Sequence, residues 1–170
     1  MSTAPSKNDR YRIALVCLGN ICRSPMAHVV IEDRLIKSGL DDRVEVVSSG
    51  TGGWHKGEAM DSRAADVLRS AGYDPSRHVA RTFSTDWFAE NDLLLAMDLS
   101  NQADMSDQAP TVEEQARVRM FREFDPEASE GDLEVPDPWY GGASGFVAVL
   151  AMIERTTDQL VEQLPDLMES

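Results

Sequence analysis

Thirty acidic against sixteen basic residues give this 170-residue chain a formal charge of −14, a balance that excludes nucleic acid as a main partner. Its length suits one domain able to bury most of its apolar surface, read here as residues 11–170, behind a flexible polar tail over 1–10 with no signal-peptide core. No stretch has the apolar length of a membrane span, and two cysteines make no disulfide framework, so a cytoplasmic chain without a membrane partner is expected, monomeric or weakly self-associating.

The apolar run Ile13-Ala14-Leu15-Val16 predicts a buried strand over 11–16. It feeds Cys17-Leu18-Gly19-Asn20-Ile21-Cys22-Arg23-Ser24-Pro25, a strand-to-helix turn in which a cysteine and an arginine can close one loop. Gly19 and Asn20 are the residues best able to take left-handed backbone angles, and successive N–H groups in such a turn converge into an anion nest. Ser24 is expected as the N-cap and Pro25 as the first residue of a helix over 24–38, with Ala27, Val30, Ile31 and Leu35 on its buried face and Gly39 as its stop. The positive helix end and the Arg23 guanidinium, which can hold an oxyanion bidentately, set Cys17 in a field that favours thiolate over thiol. Alone, Cys17 would read as a buried structural thiol. Joined to Arg23, the Gly-Asn turn and the Ser-Pro helix start, it reads as a nucleophile in an anion cradle. The nucleotide-binding pattern G-x-x-x-x-G-K-[ST] is absent.

Alternating Val44 and Val46 predict a strand over 43–49, followed by a Gly-rich loop at 50–53 with Trp54 on it. A helix is expected near 60–70, an apolar strand over 93–97 and a fourth strand over 117–121. Ser144 is expected to cap a final helix running to 164, with Phe146, Val149, Leu150, Ile153, Leu160 and Leu164 facing inward. This alternation implies an α/β fold whose four-stranded parallel sheet is covered by helices on both faces. Ligands bind beyond the carboxyl ends of such strands, where Cys17, the Trp54 loop and Asp98 should collect.

A second chemical site is expected at 135–142, where Pro136 and Pro138 hold Asp137 in a rigid extended loop suited to a general acid. Trp139 and Tyr140 offer flat walls for an aromatic leaving group, with Trp54 as the opposite rim. Asp-Pro by itself is an ordinary turn, as expected at Asp125-Pro126. The upstream acids Asp125, Glu127, Glu130, Asp132 and Glu134 read mostly as a solvated loop face, and any lying near Asp137 would favour its protonated form. Asp98 reads as a loop buttress, and His28 and His55 receive no role. No His, Cys or carboxylate spacing suggests a metal, and no cofactor is needed.

Residues 17–25 resemble the signature loop of the low-molecular-weight protein tyrosine phosphatases. The likeness extends to Ser48-Ser49-Gly50-Thr51 with Trp54, to Met97-Asp98 and to Asp137-Pro138-Trp139-Tyr140-Gly141, in the family's order over nearly the whole chain. It implies a small Rossmann-like three-layer fold and hydrolysis of phosphotyrosine in protein substrates. Cys17 would form a phosphocysteine, Arg23 clamp the phosphate, and Asp137 act as acid and then base. Leu18, Gly19, Asn20, Ile21, Cys22 and Ser24 would form the substrate cup, with Ser24 donating to the sulfur and Asn20 braced by Ser48 and His78. Cys22, on residue type alone either a quiet helix-start residue or a redox partner, would by this resemblance form a protective disulfide with Cys17.

Two departures from the family pattern stand out: Trp139 where tyrosine is common, and Gly145 where an acidic residue often follows the loop. A phosphoarginine phosphatase is the near alternative, although its relatives tend to carry Thr where this chain has the apolar Ile21. Arsenate reductase chemistry would need cysteines after Cys22, and there are none. A binding module without catalysis would need neither Cys17 nor Asp137.

Overall fold

The structure is a computed structural model that describes residues 10–140 and 142–169; the tail expected over 1–10 falls, apart from Arg10, outside them, as do Gly141 and the side chain of Tyr140. The elements in order are β1 (Tyr11–Cys17), α1 (Arg23–Ser38), β2 (Val44–Gly50), α2 (Ser62–Ser70), α3 (Asp86–Glu90), β3 (Leu93–Ala96), α4 (Leu99–Asp107), α5 (Val112–Gln115), β4 (Val118–Met120) and α6 (Ala143–Met168). The strands form one sheet in the order β2-β1-β3-β4, every pair parallel, with Ile13 opposite both Val46 and Leu93.

Successive residues of β1 serve opposite faces of the sheet. Ile13, Leu15 and Cys17 join Met26, Ile31, Leu68, Phe146 and Ile153 in one core, beneath α1, α2 and α6. Ala14 and Val16 join Phe83, Phe88, Leu94 and Met105 in the other, beneath α3 and α4. Each fully buried aliphatic side chain contributes about 2 kcal/mol, so the sheet is held from both sides, as a parallel sheet requires. Among the described residues no helix is long and apolar enough to cross a membrane.

Several boundaries differ from expectation. Helix α1 starts at Arg23, and Cys22 occupies the cap position without a side-chain cap bond. Ser24 is therefore not the N-cap: its hydroxyl is engaged by Cys17 and Asn20. At the other end Gly39 takes a left-handed φ of 75°, which glycine adopts without strain, and stops the helix as expected. β4 ends at Met120 because the chain tightens into a 3-10 turn over Phe121–Phe124. α6 begins at Ala143 with Gly142 at the cap position, so Ser144 caps nothing, and it runs past Pro165 to Met168.

Candidate active site

The loop after β1 is seated on β2. The parallel ladder continues through Thr51 N–H to the Cys17 carbonyl at 2.9 Å and Gly52 N–H to the Leu18 carbonyl at 2.8 Å. Residue 50 lies directly under the loop: a Cβ there would stand 2.6 Å from the Leu18 oxygen, so Gly50 permits the close approach. Asn20 takes the left-handed conformation, φ 57°, and Gly19 does not. Gly19 instead leaves room for the His55 ring, which a Cβ would meet at 3.0 Å.

Asn20 is the brace of this loop. Its Nδ2 donates to Ser24 Oγ at 2.8 Å and Ser48 Oγ at 3.1 Å. Its Oδ1 accepts the Arg81 N–H at 2.8 Å, and its backbone carbonyl accepts His78 Nε2–H at 2.6 Å. Burial first, then the charges of His28 and Arg81, hold the His78 ring below its ordinary pKa, although the bond to Asn20 favours protonation. His78 is thus a neutral donor to the loop and not a base.

The Asn20 backbone N–H lies 3.3 Å from Cys17 Sγ, and Ser24 Oγ lies 3.0 Å from it. Arg23 is buried and lines the same cleft. Its Nη1 donates to Asp98 Oδ2 at 2.7 Å and to the Val135 carbonyl at 3.1 Å, while Nη2 lies 3.7 Å from Asp137 Oδ2. Burial alone would lower the guanidinium pKa, but Cys17, Asp98 and Asp137 outweigh it and hold the pKa above its ordinary value. Asp98 is a buttress as expected, and what it supports is Arg23.

Asp137 reaches the mouth of the cup from a distant loop. Its Oδ1 accepts the Trp139 N–H at 3.0 Å, closing a short turn. Trp139 is fixed from behind: Arg63 donates to its carbonyl at 3.0 Å and stacks its guanidinium 5.0 Å from the indole centre. On the far side Trp54, 72% exposed, lies over Gly52, where a Cβ would fall within 1.9 Å of the indole. His55 bridges the two rims, its ring 6.1 Å from that of Trp139.

The cleft, about 200 Å³, gathers Cys17, Leu18, Gly19, Ile21, Cys22, Arg23, Trp54, Asp137 and Trp139, together with His55. Asn20 and Ser24 are fully buried behind it and shape the cup without lining it. His55 was not legible because nothing near it in sequence marks it; Gly19 and Trp139 do so in space. The upstream acids lie mostly on an exposed loop face, as expected: Glu127, Glu130, Asp132 and Glu134 are exposed and Asp125 is buried. Asp125 pairs with Arg122 and Arg155 at 2.8 and 2.9 Å, Asp132 with Arg122 at 3.0 Å, and Glu134 accepts the Leu99 N–H at 2.8 Å. These bonds anchor the segment leading to Asp137. Cys22 is a buried free thiol, as is Cys17. Burial, then the charges of Asp61, Cys17 and Asp137, hold the Cys22 thiol well above its ordinary pKa.

The family model for low molecular weight phosphotyrosine protein phosphatases matches residues 12–168. A low molecular weight protein-tyrosine-phosphatase of Streptomyces coelicolor is 44% identical over 159 residues, 94% of this chain and 96% of that protein. A low molecular weight protein-tyrosine phosphatase A of Mycobacterium tuberculosis is 47% identical over 147 residues, covering 86% of this chain and 87% of its own. A protein tyrosine phosphatase of Entamoeba histolytica, crystallised with Hepes in the active site, superposes with a TM-score of 0.86 at 31% identity, covering 92% of this chain and 97% of that one. Sequence, fold and the Cys17–Arg23–Asp137 cleft agree: the chain belongs to the low molecular weight phosphotyrosine protein phosphatase family.

Proposed function

We propose that this protein hydrolyses phosphotyrosine in protein substrates through a phosphocysteine on Cys17. The observation that carries the reading is one cleft holding a sulfur with two donors aimed at it and a guanidinium with Asp137 3.7 Å away. The loop N–H groups and Arg23 hold the non-bridging phosphate oxygens, charge on which the transition state depends. Cys17 attacks phosphorus in line; the S–P bond forms as the bond to the tyrosine oxygen breaks, and Asp137 gives that oxygen its proton. Asp137 then takes a proton from the water that attacks phosphorus, and the sulfur departs as thiolate, eased by the Ser24 hydroxyl.

Trp54 and Trp139 form walls for a flat substrate stem, with the apolar Ile21 between them in the same cleft. These favour phosphotyrosine over phosphoarginine. With a net charge of −14, small or locally cationic substrates should be preferred to acidic ones. Cys22 stands ready to form a reversible disulfide with Cys17 under oxidation, and a reducing cytoplasm is the setting that keeps the nucleophile free. The test is steady-state phosphate release from a phosphotyrosyl peptide and from phosphoarginine in parallel, with arsenite formation from arsenate and a thiol reductant as the third arm and mass spectrometry for a phosphorylated Cys17. Phosphotyrosine hydrolysis abolished by Cys17→Ser supports the reading; faster phosphoarginine turnover, or activity surviving in Cys17→Ser, overturns it.

A further inference from the structure

We propose that His28 is a positioning residue for the Cys17 sulfur, acting as a neutral imidazole protonated on Nε2 and working through Ser48, Asn20 and Ser24. The inference follows from counting hydrogens along one buried chain. The Asn20 amide cannot be flipped, because its Oδ1 accepts a backbone N–H from Arg81 at 2.8 Å. Its two Nδ2 hydrogens then go to the hydroxyl oxygens of Ser24 and Ser48, at 2.8 and 3.1 Å. Each serine therefore accepts at that contact and has one hydrogen of its own to place. The Ser24 hydrogen is directed at Cys17 Sγ, 3.0 Å away, with the Ser49 carbonyl at 3.3 Å as the competing acceptor. The Ser48 hydrogen is directed at His28 Nδ1, 3.2 Å away. Nδ1 must then be bare, and the ring proton sits on Nε2, which donates to Glu32 Oε2 at 3.1 Å.

A second proton on His28 reverses this order. Nδ1–H would point at the second lone pair of the Ser48 oxygen, so the Ser48 hydrogen would lose its acceptor and the hydroxyl bonded to Asn20 would have to turn. The disturbance passes through Asn20 to the hydroxyl that touches the nucleophile. The ring can exchange protons with solvent, because it opens on a cavity of about 210 Å³ shared with Glu32, Asp74, Arg77 and His78. The groups facing the ring there are Glu32, Arg77 at 3.7 Å from Glu32, the neighbouring His78, and Asp74, which is tied to the Ser76 hydroxyl at 2.6 Å. The sequence pattern gave His28 no role because Ser48, whose hydroxyl it bonds, lies twenty residues further along.

The kinetic arm of the test rests on the function proposed above; the spectroscopic arm does not. Nitrogen NMR of the histidine rings in the wild-type protein at neutral pH should show His28 as the Nε2–H tautomer, and an Nδ1–H tautomer overturns the proposal. In kinetics, wild-type kcat should fall on the acid side at the same pH at which NMR sees His28 titrate. His28→Ala should lower kcat at neutral pH by about tenfold, the low end for loss of a group that orients a directly acting one. KM should stay within about twofold, and the burst of released phenol should persist, because the step affected is departure of the sulfur. His28→Asn places Oδ1 where Nδ1 stood; it should keep near wild-type kcat and lose the acid inflection. Wild-type kcat and an unchanged acid limb in His28→Ala, or no recovery in a folded His28→Asn, would overturn the assignment.

Discussion

Replacing Asp98 by asparagine tests how far the phosphate clamp depends on a charge outside the cup. One carboxyl oxygen accepts from Arg23 Nη1 at 2.7 Å, and the other caps α4 by accepting the Asn101 N–H at 2.7 Å. Asparagine caps a helix as well as aspartate does, so Asp98→Asn keeps the second bond and turns the first into a donor facing a donor. Breaking a buried ion pair costs about 3–5 kcal/mol. Here the Arg23 side chain is 3% exposed but Asp98 is 21% exposed, and the Val135 carbonyl stays on Nη1. A loss of about 2 kcal/mol is therefore expected, about thirtyfold in kcat/KM if all of it reaches the transition state. The assay is kcat/KM on a phosphotyrosyl peptide beside a thermal melt. Asp98→Ala should match it in activity and lose about 1 kcal/mol more stability through the cap. A kcat/KM within about threefold of wild type in Asp98→Asn would mean that Val135 and the loop alone aim the guanidinium, and the reasoning would fail.

Asp137→Asn should slow phosphotyrosyl peptides by about 10²–10⁴-fold, the usual worth of a positioned acid. It should slow p-nitrophenyl phosphate far less, since that leaving group departs without a proton; equal losses on both would remove Asp137 as the acid. Trp139→Ala should raise KM for phosphotyrosyl peptides by about tenfold through the lost stacking wall and leave inhibition by inorganic phosphate unchanged. Asp125→Ala should destabilise by about 2 kcal/mol, because the buried Arg122 loses its buried carboxylate and keeps Asp132 and the Glu134 carbonyl, read as a lowered urea midpoint. The Asp125 pKa lies below its ordinary value: burial opposes this, but bonds from Arg155, the Glu127 N–H and Arg122 prevail. A folded value below the unfolded one contributes stability in full above the ordinary 3.8 and loses it as pH falls through the folded value. Urea midpoints should therefore fall more steeply in acid for wild type than for Asp125→Asn.

The sheet and the loop after it were legible because both carry dense local signals. Ile13 to Val16 is apolar throughout, and the Gly-Asn turn ends on an arginine. The short helices were not. α5 buries no residue, and α3 buries the adjacent pair Trp87 and Phe88, so neither shows a helical period. The contact of Ser24 with the sulfur is as expected, but its N-cap reading failed for a physical reason: Ser-Pro at a helix start is the same text whether the hydroxyl caps the helix or turns back to a sulfur. The burial of Asp125 was not legible because its partners, Arg122 and Arg155, are set by tertiary contact. Arg63 joined the site only when α2 met the Pro138–Tyr140 turn, and His55 when the loop after β2 met Gly19 and Trp139.

An enzyme carrying −14 still captures an oxyanion because exposed charge is screened beyond about 8–10 Å, while near the cup the negative groups face Arg23. Asp98 and Asp137 approach that guanidinium from different segments, and their anchoring separates their roles. Asp98 is held by two bonds of 2.7 Å, one of them a helix cap, so it cannot yield. Asp137 is tied by one backbone N–H and stands 3.7 Å from Nη2. An arriving phosphate dianion takes the guanidinium hydrogens that faced Asp137 and repels its negative charge. Asp98 supplies the fixed charge that lets Arg23 exchange one carboxylate for a phosphate without losing its orientation.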